Sequence, residues 1–286
     1  MPKNKNIVYQ VKEVLQQKLK IGESKHLAKQ QGVASDGIYS WSTYKNYHTK
    51  GRAFARWAKE QYGCKTLNEA RKYVNVYIQK YIDDGYSPYT QKHIACTLAK
   101  LYSCSTKNFI PTQTRHRANI TKSRRNKAIF SESRNQEFVD FCRATGLRRH
   151  EVEQLKPGNL HFDESTGEYM LVNIKGKGGR FRDYPFLSKE TAGKILNTPT
   201  DQRAWSKVPT RADIHSYRAD YCRTLYELHA RPLAEIPAKE RYYCRRDLKG
   251  VVYDKRAMLV ASRALGHNRI SVIAGHYLYG NNAISR

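Results

Sequence analysis

The chain has 286 residues, of which 40% are hydrophobic, enough to bury a core in each of two ordinary domains. Lys and Arg total 52 against 25 Asp and Glu, and the resulting charge of +27 exceeds what solubility requires and points to a polyanionic partner, nucleic acid first. The six scattered cysteines contain no C-x-x-C pair and exclude a disulfide scaffold. No apolar run approaches the roughly 20 residues of a membrane helix, and MPKNKNIVYQ lacks an apolar signal core, so a cytoplasmic protein is expected.

Helical spacing opens the chain at Ile7, Val11, Val14, Leu15 and Leu19. A second helix is predicted from about Ser42 to Tyr62, carrying Tyr47, Phe54 and Trp57 and stopped by Gly63. A third begins at the capping box Thr66-Leu-Asn-Glu69, runs through Ala70, Val74, Tyr77, Ile78 and Tyr81, and ends before Gly85. The fourth starts at Ser87-Pro88 and carries Ile94, Leu98 and Leu101. These predict a four-helix N-terminal domain over residues 1–112. Residues 113–130 form a basic interdomain linker, in which Arg115, Arg117, Lys122, Arg124, Arg125 and Lys127 are the candidate phosphate contacts. The second domain, 131–286, mixes helix and strand. A helix runs from Ser133 to Ala144 and stops at Gly146. A β-hairpin follows, with strands Tyr169–Ile174 and Arg180–Tyr184 about the turn Gly176-Lys-Gly-Gly179. From Ser188 onward the chain reads as mostly helical.

Three constellations in this half carry chemistry. In Thr145-Gly-Leu-Arg148-Arg-His-Glu151, a helix stop places an Arg on a turn, where its planar fork can grip a phosphate, with a carboxylate one helical turn beyond to fix the fork. His215-Ser-Tyr-Arg218 puts a histidine and an arginine three apart on a helix, so both project from the same face. Leu265-Gly266-His267-Asn268 is followed ten and twelve residues after the histidine by Tyr277 and Tyr279.

The order T-G-L-R-x-x-E, Lys-bearing hairpin, H-x-x-R, L-G-H and late Tyr resembles the catalytic domain of the tyrosine recombinases, the family of phage and mobile-element integrases, over residues 131 to 280. The resemblance implies a mainly α fold with a small β-hairpin or sheet: a helical, SAM-like core-binding domain followed by an α+β catalytic domain. It implies a site-specific recombinase of mobile-element type that cleaves and rejoins DNA through a covalent 3′-phosphotyrosine, without metal, cofactor or ATP. Arg148 and Arg218 would clamp the scissile phosphate, with His215 and His267 completing the pocket and Glu151 supporting Arg148. Lys177, or Lys175 in a shifted register, would protonate the leaving 5′ oxygen. Tyr277, with Tyr279 as the alternative, would be the nucleophile, and His215 the acceptor of its proton. The implied partners are double-stranded recombination sites and further copies of the chain, four on DNA, with the protein nucleoid-associated when bound. The long stretch between Arg218 and Leu265 reads as an insertion that bears on the orientation of His267. A catalytically silent DNA-binding regulator descended from a recombinase is the alternative, since it would need the basic surface but not the tyrosine.

Overall fold

The computed structural model describes residues 6–32, 36–116, 130–176, 179–267 and 269–279. The chain divides into two compact units, Met1–Thr121 and Lys122–Arg286. Arg117, Lys122, Arg124, Arg125, Lys127 and Lys177 lie outside the described residues.

In the first unit the helices are α1 (Ile7–Gln17), α2 (Lys25–Gln30), α3 (Trp41–Tyr62), α4 (Leu67–Ala70), α5 (Val74–Asp83) and α6 (Pro88–Leu101). The four expected segments are all helical, with two differences. The short α2, capped by the Ser24 hydroxyl, was not expected, because its six residues are too few to show a period. The third segment is α4 and α5 joined by a 3-10 turn at Arg71–Tyr73, although Ala70, Val74, Tyr77 and Ile78 all remain buried. Ser40, Thr66 and Ser87 cap α3, α4 and α6, and each accepts a hydrogen bond from a backbone N–H three residues on. Ile7, Val11 and Leu15 from α1, Phe54 and Ala58 from α3, and Ile94 and Leu98 from α6 share one core. Arg115 is exposed, with its guanidinium 5.6 Å from the centre of the Tyr89 ring.

The second unit contains α7 (Gln136–Thr145), α8 (Arg149–Val152), β1 (Leu160–Asp163), β2 (Glu168–Lys175), β3 (Phe181–Pro185), α9 (Lys189–Leu196), α10 (Ile214–His229), β4 (Arg241–Tyr243), β5 (Val252–Asp254), α11 (Lys255–Ala264) and α12 (Ile270–His276). β1, β2 and β3 form an antiparallel sheet in that order. The expected hairpin is present, with Lys175 opposite Phe181, and a register shift between Leu171 and Ile174 interrupts the pairing. α10 buries Ile214, Tyr217, Arg218, Tyr221, Cys222, Leu225 and Tyr226, a continuous helical stripe that includes one charged residue.

The region after Ser188 is not as uniformly helical as its sequence suggests, because β4 and β5 pair as an antiparallel ribbon within the stretch that reads as an insertion. Its foot is tied by Arg231, whose Nε and Nη2 each donate at 2.8 Å to the buried Asp254 carboxylate while Nη2 also donates to Glu240 at 2.6 Å. Asp254 in turn caps α11 by accepting from the Arg256 N–H at 2.9 Å. The Arg231 hydrogen bonds hold the Asp254 carboxyl at about 2, below its ordinary 3.8. This contribution to stability is complete above about pH 4 and is lost as pH falls through 2. Asp254→Asn is therefore expected to lower stability by about 1–3 kcal/mol at pH 7. In thermal melts the gap from the parent should close as the pH is lowered from about 4 to 2; a gap independent of pH would contradict this assignment.

Candidate active site

The T-G-L-R turn is built by three local demands. Gly146 ends α7 at φ 57°, in the left-handed region, and its missing side chain makes room for the Tyr221 ring. Leu147 is fully buried and anchors the turn, and Arg148 then stands in extended conformation as the N-cap of α8. The Glu151 carboxylate, with none of its side chain exposed, turns back on that cap. Its Oε2 accepts from the Arg148 backbone N–H at 2.8 Å, and its Oε1 from Arg148 Nη1 at 2.8 Å. Arg148 Nη2 donates to the Leu265 carbonyl at 3.2 Å.

Arg218 is 2% exposed, a placement that a permanently charged guanidinium tolerates only when it is well bonded. It donates to the carbonyls of Gly146 and Leu265, and its Nε donates to Tyr277 Oη at 3.3 Å. Arg148 and Arg218 thus meet at the Leu265 carbonyl, the first residue of the L-G-H turn.

His267 is set by that turn. Its backbone N–H donates to the Ser262 carbonyl at 2.8 Å, and its own carbonyl accepts from the Ser262 hydroxyl at 3.0 Å. Its Nε2 lies 3.1 Å from Tyr277 Oη. Burial, followed by the charges of Arg218 and Arg148, presses the imidazole down to about 4, so the ring is neutral at neutral pH. His215, exposed at the start of α10, has its ring centre 5.5 Å from that of Tyr277, and the His267 ring centre is also 5.5 Å from it.

The two candidate tyrosines have different surroundings. Tyr277 is 5% exposed and closes α12, whereas Tyr279 is 37% exposed. Leu278, buried between them, fixes the segment, and its carbonyl accepts from the Tyr253 hydroxyl at 3.3 Å. Tyr253 belongs to β5, so the ribbon that reads as an insertion holds the chain beside Tyr277.

Arg148, Glu151, His215, Arg218, His267 and Tyr277 are therefore brought together. Lys175 is exposed, with its ammonium 5.9 Å from the Phe181 ring centre, and Lys177 lies outside the described residues. The sequence reading missed Arg182. From β3 its guanidinium donates to both oxygens of Glu151, at 3.1 and 2.9 Å, and its Nε donates to the Ala264 carbonyl at 2.9 Å. Burial alone would raise the Glu151 carboxyl, but the hydrogen bonds and charge of Arg182, joined by those of Arg148, hold it at about 2. The alternation Phe181 exposed, Arg182 turned inward, Asp183 exposed and Tyr184 buried was available as a signal, since it places Arg182 in phase with an aromatic on the covered face.

No family model and no curated protein matches the chain. Among solved structures it is similar to the Tn1549 transposon integrase in complex with transposon right end DNA, with 10% identity and a TM-score of 0.43 over 89% of this chain and 95% of that one. For the same integrase in complex with circular intermediate DNA the values are 11% and 0.44 over 95% of each chain. For XerA recombinase they are 13% and 0.33 over 94% of each. At such scores the likeness decides no residue's role, which rests on the geometry above.

Proposed function

We propose that the chain is a site-specific DNA recombinase of the tyrosine type, acting through Tyr277 on a phosphodiester held by Arg148 and Arg218. The supporting observation is the hydroxyl of the buried Tyr277, which has Arg218 Nε and His267 Nε2 at 3.3 and 3.1 Å. A tyrosine hydroxyl bonded to an arginine and a neutral histidine brings together groups that in-line attack on phosphorus requires.

An ordinary phenol with a pKa of about 10 is a poor nucleophile at neutral pH. The donor at Arg218 Nε stabilises developing phenolate charge, and His267, when its ring hydrogen sits on Nδ1, receives the phenol proton at Nε2. His215, which the family pattern implies as acceptor, has its ring centre 5.5 Å from that of Tyr277. Attack forms the Tyr277–phosphorus bond and breaks the bond to the 5′ oxygen, which takes its proton from Lys177. The reverse attack by a 5′ hydroxyl of a second strand restores the phosphodiester and frees Tyr277, so no external energy source enters. The basic linker and the charge of +27 hold the duplex. Four copies assembling around two sites, and integration or excision of a mobile element as the outcome, complete the proposal.

The test is to incubate the chain with a randomised library of duplexes nicked near the centre, so that cleavage releases a short 5′ fragment and traps the adduct. DNA that stays attached through denaturation is then sequenced. A covalent adduct enriched in one sequence is expected. DNA binding with no adduct at any protein concentration would overturn the proposal and favour a silent regulator.

A further inference from the structure

Glu151 and Arg182 form a junction that clamping a phosphate does not by itself require. Each carboxylate oxygen of Glu151 takes two hydrogen bonds: Oε1 from Nη1 of Arg148 and of Arg182, and Oε2 from the Arg148 backbone N–H and Arg182 Nη2. Four donors saturate a carboxylate that has none of its side chain exposed. Arg182 is itself only 9% exposed along its side chain, and its guanidinium lies 4.9 Å from the centre of the Tyr184 ring. Two glycines make room for it. A Cβ on Gly176, which precedes Lys177 in the hairpin, would come 2.9 Å from Arg182 Nη1. A Cβ on Gly266, at φ 65° in the L-G-H turn, would come 3.2 Å from Arg182 Cδ. One side chain therefore touches the turn bearing Arg148, Gly176 beyond the end of β2 and the turn bearing His267.

We propose that Arg182 is a positioning residue, which fixes these three segments in one register by gripping Glu151 with its whole fork and the Ala264 carbonyl with its Nε. It shares the Glu151 charge, so Arg148 is oriented by the carboxylate without being sequestered by it. A planar, bidentate donor is required, and a lysine, with a single nitrogen, reproduces only part of it. The inference rests on the strand-cleavage reading above.

The experiment measures single-turnover adduct formation and DNA affinity between pH 5 and 8, on the DNA recovered from the library, for the parent, Arg182→Lys, Arg182→Gln and the double variant Arg182→Gln/Glu151→Gln. The charged and titratable groups facing Glu151 are Arg148, Arg182, Arg218 at 3.9 Å, His150 at 4.0 Å and the buried Tyr184. All but Arg182 are common to the parent and the variants, so their titrations appear in every profile. At pH 7 and saturating DNA, Arg182→Gln should form adduct about 10- to 100-fold more slowly, with affinity within about threefold of the parent. Its rate should fall about tenfold further toward pH 5, as Glu151, deprived of the fork, takes up a proton. Arg182→Lys should recover part of the rate, and the double variant should lose the additional acid limb. If Arg182→Gln does not fold, Arg182→Lys carries the test, with an intermediate rate expected. Parent-like rates at every pH in either single variant, or an additional acid limb, beyond that of the parent, that persists in the double variant, would overturn the inference alone. A parent that forms no adduct would overturn the strand-cleavage reading, and the inference with it.

Discussion

Replacing Arg218 by Lys is expected to slow covalent adduct formation about 100- to 1,000-fold, the range seen when one preorganised donor to developing charge is removed. Arg218 reaches three acceptors at once, the carbonyls of Gly146 and Leu265 and the Tyr277 hydroxyl. A lysine ammonium is a single point and cannot hold the two carbonyls while also presenting a donor to the phenol. The Leu265 carbonyl keeps its bond from Arg148, but a Gly146 carbonyl left unpaired costs about 1–3 kcal/mol, so the variant should also melt measurably lower. DNA affinity should stay within about threefold, because one buried charge contributes little beside the exposed basic residues of the chain. Stopped reactions on saturating DNA, with melting followed in parallel, separate these effects. Parent-like adduct formation would remove Arg218 from the reacting centre.

Gly146→Ala is expected to destabilise the unit Lys122–Arg286 by about 2–4 kcal/mol, combining the left-handed backbone cost of about 1 kcal/mol with overpacking. The added methyl would lie 2.5 Å from Tyr221 Cδ1. That ring cannot retreat, because it is fully buried and its hydroxyl donates to the Pro185 carbonyl at 2.8 Å. Because the Gly146 carbonyl also accepts from Arg218, the folded fraction should cleave DNA more slowly as well. Urea denaturation measures the first effect, and a loss under about 0.5 kcal/mol would show that the turn tolerates a side chain.

What the sequence disclosed and what it hid follow from the range of the signals. The T-G-L-R turn was legible because a helix-ending glycine, a buried leucine and a turn arginine are adjacent and each has a local reason. The hairpin was legible because Gly176 and Gly179 bracket its turn. β1 was not, since four residues ending at Asp163 offer no clear alternation, and only its pairing with Glu168–Leu171 defines it. β4 and β5 are three residues each and exist by virtue of each other and of the Arg231–Asp254 clamp, 23 residues apart. Arg182 was hidden for another reason: in a chain with 52 Lys and Arg, nothing local distinguishes the one that turns inward. Spacing favours Tyr277 and leaves Tyr279 as the alternative; what the sequence did not disclose is that the Tyr277 hydroxyl is bonded to Arg218 and His267 while Tyr279 is 37% exposed, because those contacts are long-range.

The identity of the nucleophile is the central claim. The direct measurement is to trap the adduct on nicked DNA, digest the protein and locate the nucleotide by mass spectrometry, alongside Tyr277→Phe and Tyr279→Phe. The nucleotide is expected on Tyr277, with no adduct from Tyr277→Phe and an adduct from Tyr279→Phe at a rate near that of the parent. A nucleotide on Tyr279, or an adduct that survives Tyr277→Phe, would contradict the claim.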